Sequence, residues 1–546
     1  MKIQSRFEEF LRGHWIETAI ALTTLVVVSA YGITEFPIVK DMGFFSYIGQ
    51  EILRGYTPYS TVYEVKPPAL FYFYALAMST FGFLPQYMSI RVFMLILIAA
   101  SVVMLYRIVL KSTNDKLLAA LSCLIYISFV YSMELALLGD SKAVAIFFSF
   151  LTILLAYRRN YVLSGICASL SCLFWQPFGM LIFAPISMLV LEGNLKPLKL
   201  GGFVKVAIGF SIPIAVLVLY FAWLGTLPDL VNFSLLYALK YESSTVFERL
   251  LWKIARLMAT FSTEFFFMTA AAVGALYVVY RALYETTKGR IVAAVSERKH
   301  LVAFVLPFVL LSSIFIKDFS GGSTFSVVLP VVSLLAAFVV ETTGMKFKKI
   351  LFTNMHLSDE FASKLAIALV VAAVCAYGFL PALQPVYPEN PIISERDKFI
   401  GNPTPVGFLE SISKEYGTVN FITMFLFRRP GEQVTIHHQL ELAKLIQNST
   451  SESDMLLSVY EPEILFLANR RNINKYPLYE GVGFYELSEE RGELAGIVRD
   501  IIQYKPKFIL YDDTRFLTKL GLDDFISSNY AQADFMAYHI YKLKTL

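Results

Sequence analysis

The chain is poor in charge: Asp, Glu, Lys and Arg make up 16% of its 546 residues, where about a quarter is usual for a soluble globule. With 56% hydrophobic residues and a mean hydropathy of +0.58, it has too little polar surface to coat a water-soluble particle, so it reads as a polytopic membrane protein. The net charge of +4 is small for this length and points away from nucleic acid as a partner. Cysteine is scarce too. Cys123, Cys167, Cys172 and Cys375 all lie in apolar segments without metal-type spacing, which excludes a disulfide framework and a thiolate metal site. The six histidines are scattered, and no ligand motif supports a metal or other cofactor. No removable leader is expected either. The basic start M-K-I-Q-S-R-F-E-E-F-L-R runs into an apolar stretch from Ile16 to Ile33 without an A-x-A site, so that stretch is expected to stay as a first span.

What the sequence has in quantity is apolar runs of bilayer length, about 17 to 25 residues, which recur from Ile16 to Leu383. From Gln384 onward Pro385, Pro388 and Pro391 punctuate a more polar texture in which strand-like and helix-like stretches alternate. Two domains are expected: residues 1–384 as the membrane domain and residues 385–546 as a small soluble α/β domain. Its strands are read in Val419 to Phe427, Met455 to Tyr460, Lys507 to Tyr511 and Ala537 to Leu543, with a helix over Gly492 to Tyr504.

The span count turns on P-P-A-L-F-Y-F-Y-A-L-A-M-S-T-F-G-F-L, Pro67 to Leu84, which is apolar but short and opens with two prolines. If it lies along the interface, the alternate loops that hold Arg107 and Lys111, Arg158 and Arg159, Lys196 and Lys199, and Lys346 and Lys348 fall on one side, as the positive-inside rule requires. That choice gives about eleven spans, a cytoplasmic N-terminus and an extracytoplasmic C-terminal domain. It gathers three acidic or polar loops on the outer face: Glu35 to Arg91, Met133 to Lys142, and Gly225 to Ser262.

Asp41 follows the first span in D-M-G-F-F-S-Y-I-G-Q-E-I-L-R-G-Y-T-P-Y. Phe45, Ile48, Ile52 and Leu53 recur behind it at helical spacing, which predicts an amphipathic helix lying on the membrane and ended by Gly55 and Pro58. An acid at its start serves equally well as an N-cap. Y-E-V-K-P-P then puts Lys66 at the head of the interfacial segment, where it either meets lipid phosphates in general or binds one phosphate specifically. L-L-G-D-S-K-A-V-A opens the next span with Asp140 and Lys142, again with an N-cap as the bland alternative. Two carboxylates beside a bilayer-surface cavity, with a lysine nearby, suit a reaction between a polar acceptor and a lipid phosphate leaving group.

As an ordered set these pieces resemble the GT-C membrane glycosyltransferases, in the branch of the protein O-mannosyltransferases and the lipid A aminoarabinose transferase. The first loop and Y-E-V-K-P-P-A-L-F-Y-F-Y resemble that family's first extracytoplasmic loop, residues 35–90 here. L-L-G-D-S-K-A-V-A-I-F-F resembles its second acidic loop, G-I-C-A-S-L-S-C-L-F-W-Q-P-F-G-M-L a later hairpin, and F-S-G-G-S-T-F-S-V-V-L-P a late loop-to-span junction. The resemblance implies a plasma-membrane, multi-pass enzyme that moves a hexosyl or pentosyl group from a polyprenyl-phosphate donor to a lipid, glycan or protein acceptor outside the cytoplasm. Carried over by position, Asp41 is the base of an inverting transfer and Asp140 the second acid. Lys66, with Arg54 and Lys142, meets the donor phosphate, and Tyr59, Tyr63, Glu64, Tyr241 and Gln176 line the donor and acceptor cavity.

A transporter or flippase for a lipid-linked sugar is the alternative from another class. It calls for ionisable groups in mid-span and broken helices in two related halves. The apolar runs here are nearly free of charge and the acids gather at their ends, which favours the enzyme.

Overall fold

The computed structural model describes residues 14–30, 33–34, 36–129, 132, 135, 139–192, 200–237, 265–311, 326–355, 358–379, 436–459, 461–477, 488–489, 491–511, 515–535 and 538–544. The membrane domain is helical. Its elements are α1 (Trp15–Ala30), α2 (Lys40–Leu53), α3 (Ala69–Thr80), α4 (Gln86–Thr113), α5 (Lys116–Ser128), α6 (Ser141–Tyr157), α7 (Tyr161–Phe174), a 3₁₀ turn (Gln176–Ile182) and α8 (Phe183–Glu192). They continue with α9 (Leu200–Trp223), a π-turn (Val231–Tyr237), α10 (Phe265–Thr287), α11 (Ile291–Glu297), α12 (Lys299–Leu310), α13 (Leu329–Met355) and α14 (Asp359–Phe379).

Among the described residues, four stretches are long and apolar enough to cross a bilayer: Gln86–Thr113, Leu200–Trp223, Phe266–Thr287 and Leu329–Lys346. In α9 the apolar side chains face outward, with Leu200, Leu219 and Trp223 at 73%, 69% and 80% exposure. Such a helix is solvated by lipid rather than water. The 12-residue α3 is only about 18 Å long, well short of a hydrocarbon core of about 30 Å.

The C-terminal region is an α/β domain of α15 (Ile436–Ser449), β1 (Met455–Ser458), α16 (Pro462–Ala468), β2 (Arg471–Asn472), α17 (Leu494–Tyr504), β3 (Phe508–Tyr511), α18 (Arg515–Lys519), α19 (Asp523–Asn529), β4 (Tyr530–Phe535) and β5 (Tyr538–Leu543). Its sheet runs β2-β1-β3-β5-β4. β1 is parallel to β2 and β3, and β5 is antiparallel to β3 and β4. The strands read from the sequence at Met455, Lys507 and Ala537 are β1, β3 and β5, and the helix read before Tyr504 is α17. Val419 to Phe427 lies outside the described residues.

The helix behind Asp41 is present and ends where the sequence placed its end, but both its faces are covered. Ten consecutive residues, Met42 to Glu51, are buried, because α2 lies between α3 and α16. Gly49 meets Tyr74, Ala75 and Met78 of α3, and Gly43 meets the main chain of Glu463 in α16. The Asn472 N–H donates to Tyr47 Oη at 2.8 Å, and Gln50 Nε2 donates to Phe466 O at 3.1 Å and to Gln86 Oε1 at 2.6 Å. Each large apolar side chain so buried, such as Phe44, Phe45 and Ile48, contributes about 1.5 to 3 kcal/mol. The apolar face expected to rest on lipid is therefore spent on protein contacts.

Candidate active site

Asp41 stands in the first turn of α2, where a negative charge is favoured by the helix dipole. It does not cap that helix, since the N-cap residue is Val39, which makes no side-chain cap bond. Its side chain is exposed, and among the described residues its carboxylate has no hydrogen-bond or ion-pair partner. One turn further on, Phe45 lies on the same helix face, and the Lys66 ammonium sits over its ring at 5.3 Å from the centroid.

The main chain that carries Lys66 is fixed by side chains at every polar atom. The Val65 and Lys66 N–H groups donate to Glu64 Oε1 at 2.9 and 3.2 Å. Gln176 Nε2 donates to Val65 O at 3.1 Å, and Tyr59 Oη donates to Lys66 O at 2.7 Å. Gln176 Nε2 also donates to Ser234 O at 3.1 Å, joining the first loop to the π-turn. Two prolines follow, and the ammonium is displayed from a backbone with no freedom to wander.

Glu64 is 2% exposed. Burial pushes its carboxyl above the ordinary 4.5, the Lys66 ammonium pulls it back, the Asp41 carboxylate pushes it up again, and the two amide N–H groups oppose that. A carboxyl raised in the fold favours folding below its unfolded pKa and loses that contribution as pH rises through its folded pKa. Glu64→Gln imitates the protonated form. The midpoint of thermal unfolding of the detergent-solubilised chain, read between pH 4 and 8, is therefore expected to fall behind that of Glu64→Gln as pH rises. Parallel curves would rule out a neutral Glu64.

The second acid does cap a helix. Asp140 precedes α6 and accepts from the Lys142 N–H at 2.9 Å, while Lys142 Nζ lies 3.1 Å from Oδ2 and 3.2 Å from Oδ1. Both residues are buried, and the ammonium also lies over the Trp175 ring at 5.0 Å. Tyr74 joins the two acids: its Oη donates to Gly139 O, its ring meets Phe45 edge-on at 5.9 Å, and burial, Asp140 and Asp41, in that order, raise its phenol. Gly139 has φ +61°, and a Cβ there would lie 2.6 Å from Tyr74 Oη, so this turn needs glycine.

Asp41, Glu64, Lys66, Asp140, Lys142, Tyr59 and Gln176 thus form one connected cluster. Arg54 is elsewhere. It caps the far end of α2, about 20 Å along the helix from Asp41, and is held by Glu51 and by Asn469 Oδ1 at 2.6 Å. Tyr63 reaches the C-terminal domain, where its Oη accepts from Lys475 Nζ at 2.8 Å, while its ring stacks on Phe233 of the π-turn at 4.2 Å. Tyr241 lies outside the described residues. Tyr74 was not singled out in the sequence, because nothing local separates it from its neighbours in F-Y-F-Y. Among the described residues no group of three or more His, Cys, Asp and Glu side chains is placed to hold a metal ion.

No protein-family model and no curated protein sequence matches the chain. Among solved structures, ArnT from Cupriavidus metallidurans bound to undecaprenyl phosphate is similar with a TM-score of 0.55 over 97% of this chain and 98% of that one, at 12% identity. The same protein in the apo state gives 0.54 at the same coverage and identity. The chain shares the fold of that protein over 97% of its length.

Proposed function

We propose that the protein is an integral-membrane glycosyltransferase that moves a sugar from a polyprenyl-phosphate donor to an extracytoplasmic lipid, glycan or protein acceptor, with inversion. The observation that carries this reading is an exposed carboxylate, Asp41, one turn from Phe45, whose ring lies under the Lys66 ammonium, with that lysine displayed from a backbone held by hydrogen bonds. The shared fold supports it, since its relative was crystallised with undecaprenyl phosphate.

In this mechanism the acceptor hydroxyl attacks the anomeric carbon from the side opposite the phosphate. Asp41 takes the hydroxyl proton as the new C–O bond forms, which lowers the barrier for a group too weakly acidic to attack unaided. The bond to the lipid phosphate breaks, and the charge left on its oxygen is met by the Lys66 ammonium. Asp140 has both oxygens engaged by Lys142, so its part is to hold that second cation against Trp175. The same reading places the reaction at the outer surface of the plasma membrane, with about eleven spans, a cytoplasmic N-terminus and the α/β domain outside.

Sugar transfer from a panel of radiolabelled polyprenyl-phosphate sugars in reconstituted vesicles tests this directly. Label moved to an acceptor by the parent is the expected result. Label that only crosses the bilayer would favour the flippase. In the same assay Lys66→Ala is expected to weaken donor binding by roughly tenfold or more, the usual worth of a charge-assisted phosphate contact, and Lys66→Arg to recover much of it. An unchanged donor Kd in Lys66→Ala would remove that lysine from the phosphate site.

A further inference from the structure

The main chain leading into Asp41 is gripped from two sides. From the membrane domain, Arg91 of α4, 1% exposed, donates to Ile33 O at 2.8 Å, to Phe36 O and to Pro37 O at 3.2 Å. From the C-terminal domain, Gln439 of α15, 2% exposed, gives both ends of its amide to Ile38: the Ile38 N–H donates to Oε1 at 2.7 Å, and Nε2 donates to Ile38 O at 2.8 Å. The other Nε2 hydrogen goes to Tyr538 Oη at 2.7 Å. Lys40 Nζ lies 3.7 Å from Glu461 Oε1, and Gly43 packs on the Glu463 main chain. Asp41 sits inside this stretch. Three contacts within six residues leave its backbone one position and one direction.

We infer that the C-terminal domain is a positioning element of the reaction centre, with Gln439 as the positioning residue that sets Asp41 through the Ile38 peptide. The catalytic consequence rests on the transferase reading, whereas the grip on Ile38 to Gly43 does not. This gives the domain a task separate from recognising an acceptor. An amide that satisfies both polar groups of a buried peptide allows a single register, and its removal leaves a buried N–H and C=O without their partner. Small displacements matter here, because a shift of about 1 Å in a reacting group costs on the order of 100-fold in rate.

The test compares the full-length parent with Gln439→Ala, Gln439→Glu and Ile509→Ala in lipid nanodiscs. Sugar transfer and hydrogen–deuterium exchange of the amides from Ile38 to Ser46 are read together. Gln439→Ala is expected to lower kcat by roughly 10- to 100-fold with the donor KM within about twofold, and to speed exchange in that stretch about tenfold or more. Gln439→Glu keeps the acceptor for the Ile38 N–H and regains the donor only when protonated, so its kcat relative to the parent is expected to rise as pH falls. Ile509→Ala weakens the same domain from inside β3, where Ile509 is fully buried, and is expected to leave kcat and this exchange as in the parent.

Parent-like turnover and exchange in Gln439→Ala would overturn the inference, as would an equal loss in Ile509→Ala. If the parent transfers no sugar from any donor, the transferase reading falls and exchange alone decides the grip. Faster exchange confined to Ile38 to Ser46 then upholds it, and unchanged exchange refutes it.

Discussion

Replacing Asp41 by asparagine is expected to cut sugar transfer by about 10²- to 10⁴-fold, the usual worth of a positioned general base, while donor binding and the fold stay as in the parent. The substitution keeps size and shape and removes only the capacity to take a proton. Because the side chain is exposed and accepts no hydrogen bond among the described residues, its loss should cost the fold within about 0.5 kcal/mol. That separates Asp41 from Asp140, whose carboxylate is built into a helix cap and a buried ion pair. The measurement is single-turnover transfer with donor affinity read in parallel. A variant that binds donor and still turns over at a tenth of the parent rate or better would move the base to another residue.

The second large effect is expected from the smallest side chain in the helix. A Cβ at Gly43 would lie 2.6 Å from the Glu463 backbone nitrogen, where ordinary contact begins at 3.4 Å. No flexible side chain is there to give way. With Gly43→Val, α2 and α16 must part by about 1 Å or more, two residues from Asp41, so turnover is expected to fall on the order of 100-fold with donor affinity unchanged. Overpacking of this kind also costs about 1 to 3 kcal/mol, which lowers the midpoint of thermal unfolding. Gly49→Ala makes a useful comparison, since a Cβ there meets chiefly the flexible end of Met78, at 2.7 Å, and a milder loss is expected. Full activity in Gly43→Val would mean that the helix pair can slide without moving the acid.

The acids and lysines of the candidate site stand out in the sequence because each lies beside a run whose chemistry makes it conspicuous: Asp41 after an apolar stretch, Lys66 before two prolines, Asp140 at the head of another apolar stretch. The elements β1, β3, β5 and α17 were legible for the same local reason. What was not legible is set by pairs far apart in the chain. Gln439 and Ile38 are 401 residues apart, and neither carries a sign of the other. The same holds for Gly43 against Glu463, which is why α2 read as a surface helix and proved to be buried on both faces. Arg91 read as the end of a loop, yet its guanidinium holds three carbonyls of the segment before Asp41. Arg54 was legible but misplaced, since helical rise alone sends it to the opposite end of α2 from the acid.

The strand order of the small domain carries a timing consequence. β5 lies between β3 and β4 although it is made last, and its Tyr538 completes the hydrogen bonding of Gln439. The segment around Asp41 is translated first and must wait roughly 500 residues for its final partners, some 25 to 100 s at ribosomal speeds of about 5 to 20 residues per second. On the positioning role inferred above, chains released before that strand is made keep the Arg91 grip but lack the Tyr538 contact that completes Gln439, so unfinished copies in the membrane are expected to turn over more slowly than the whole chain.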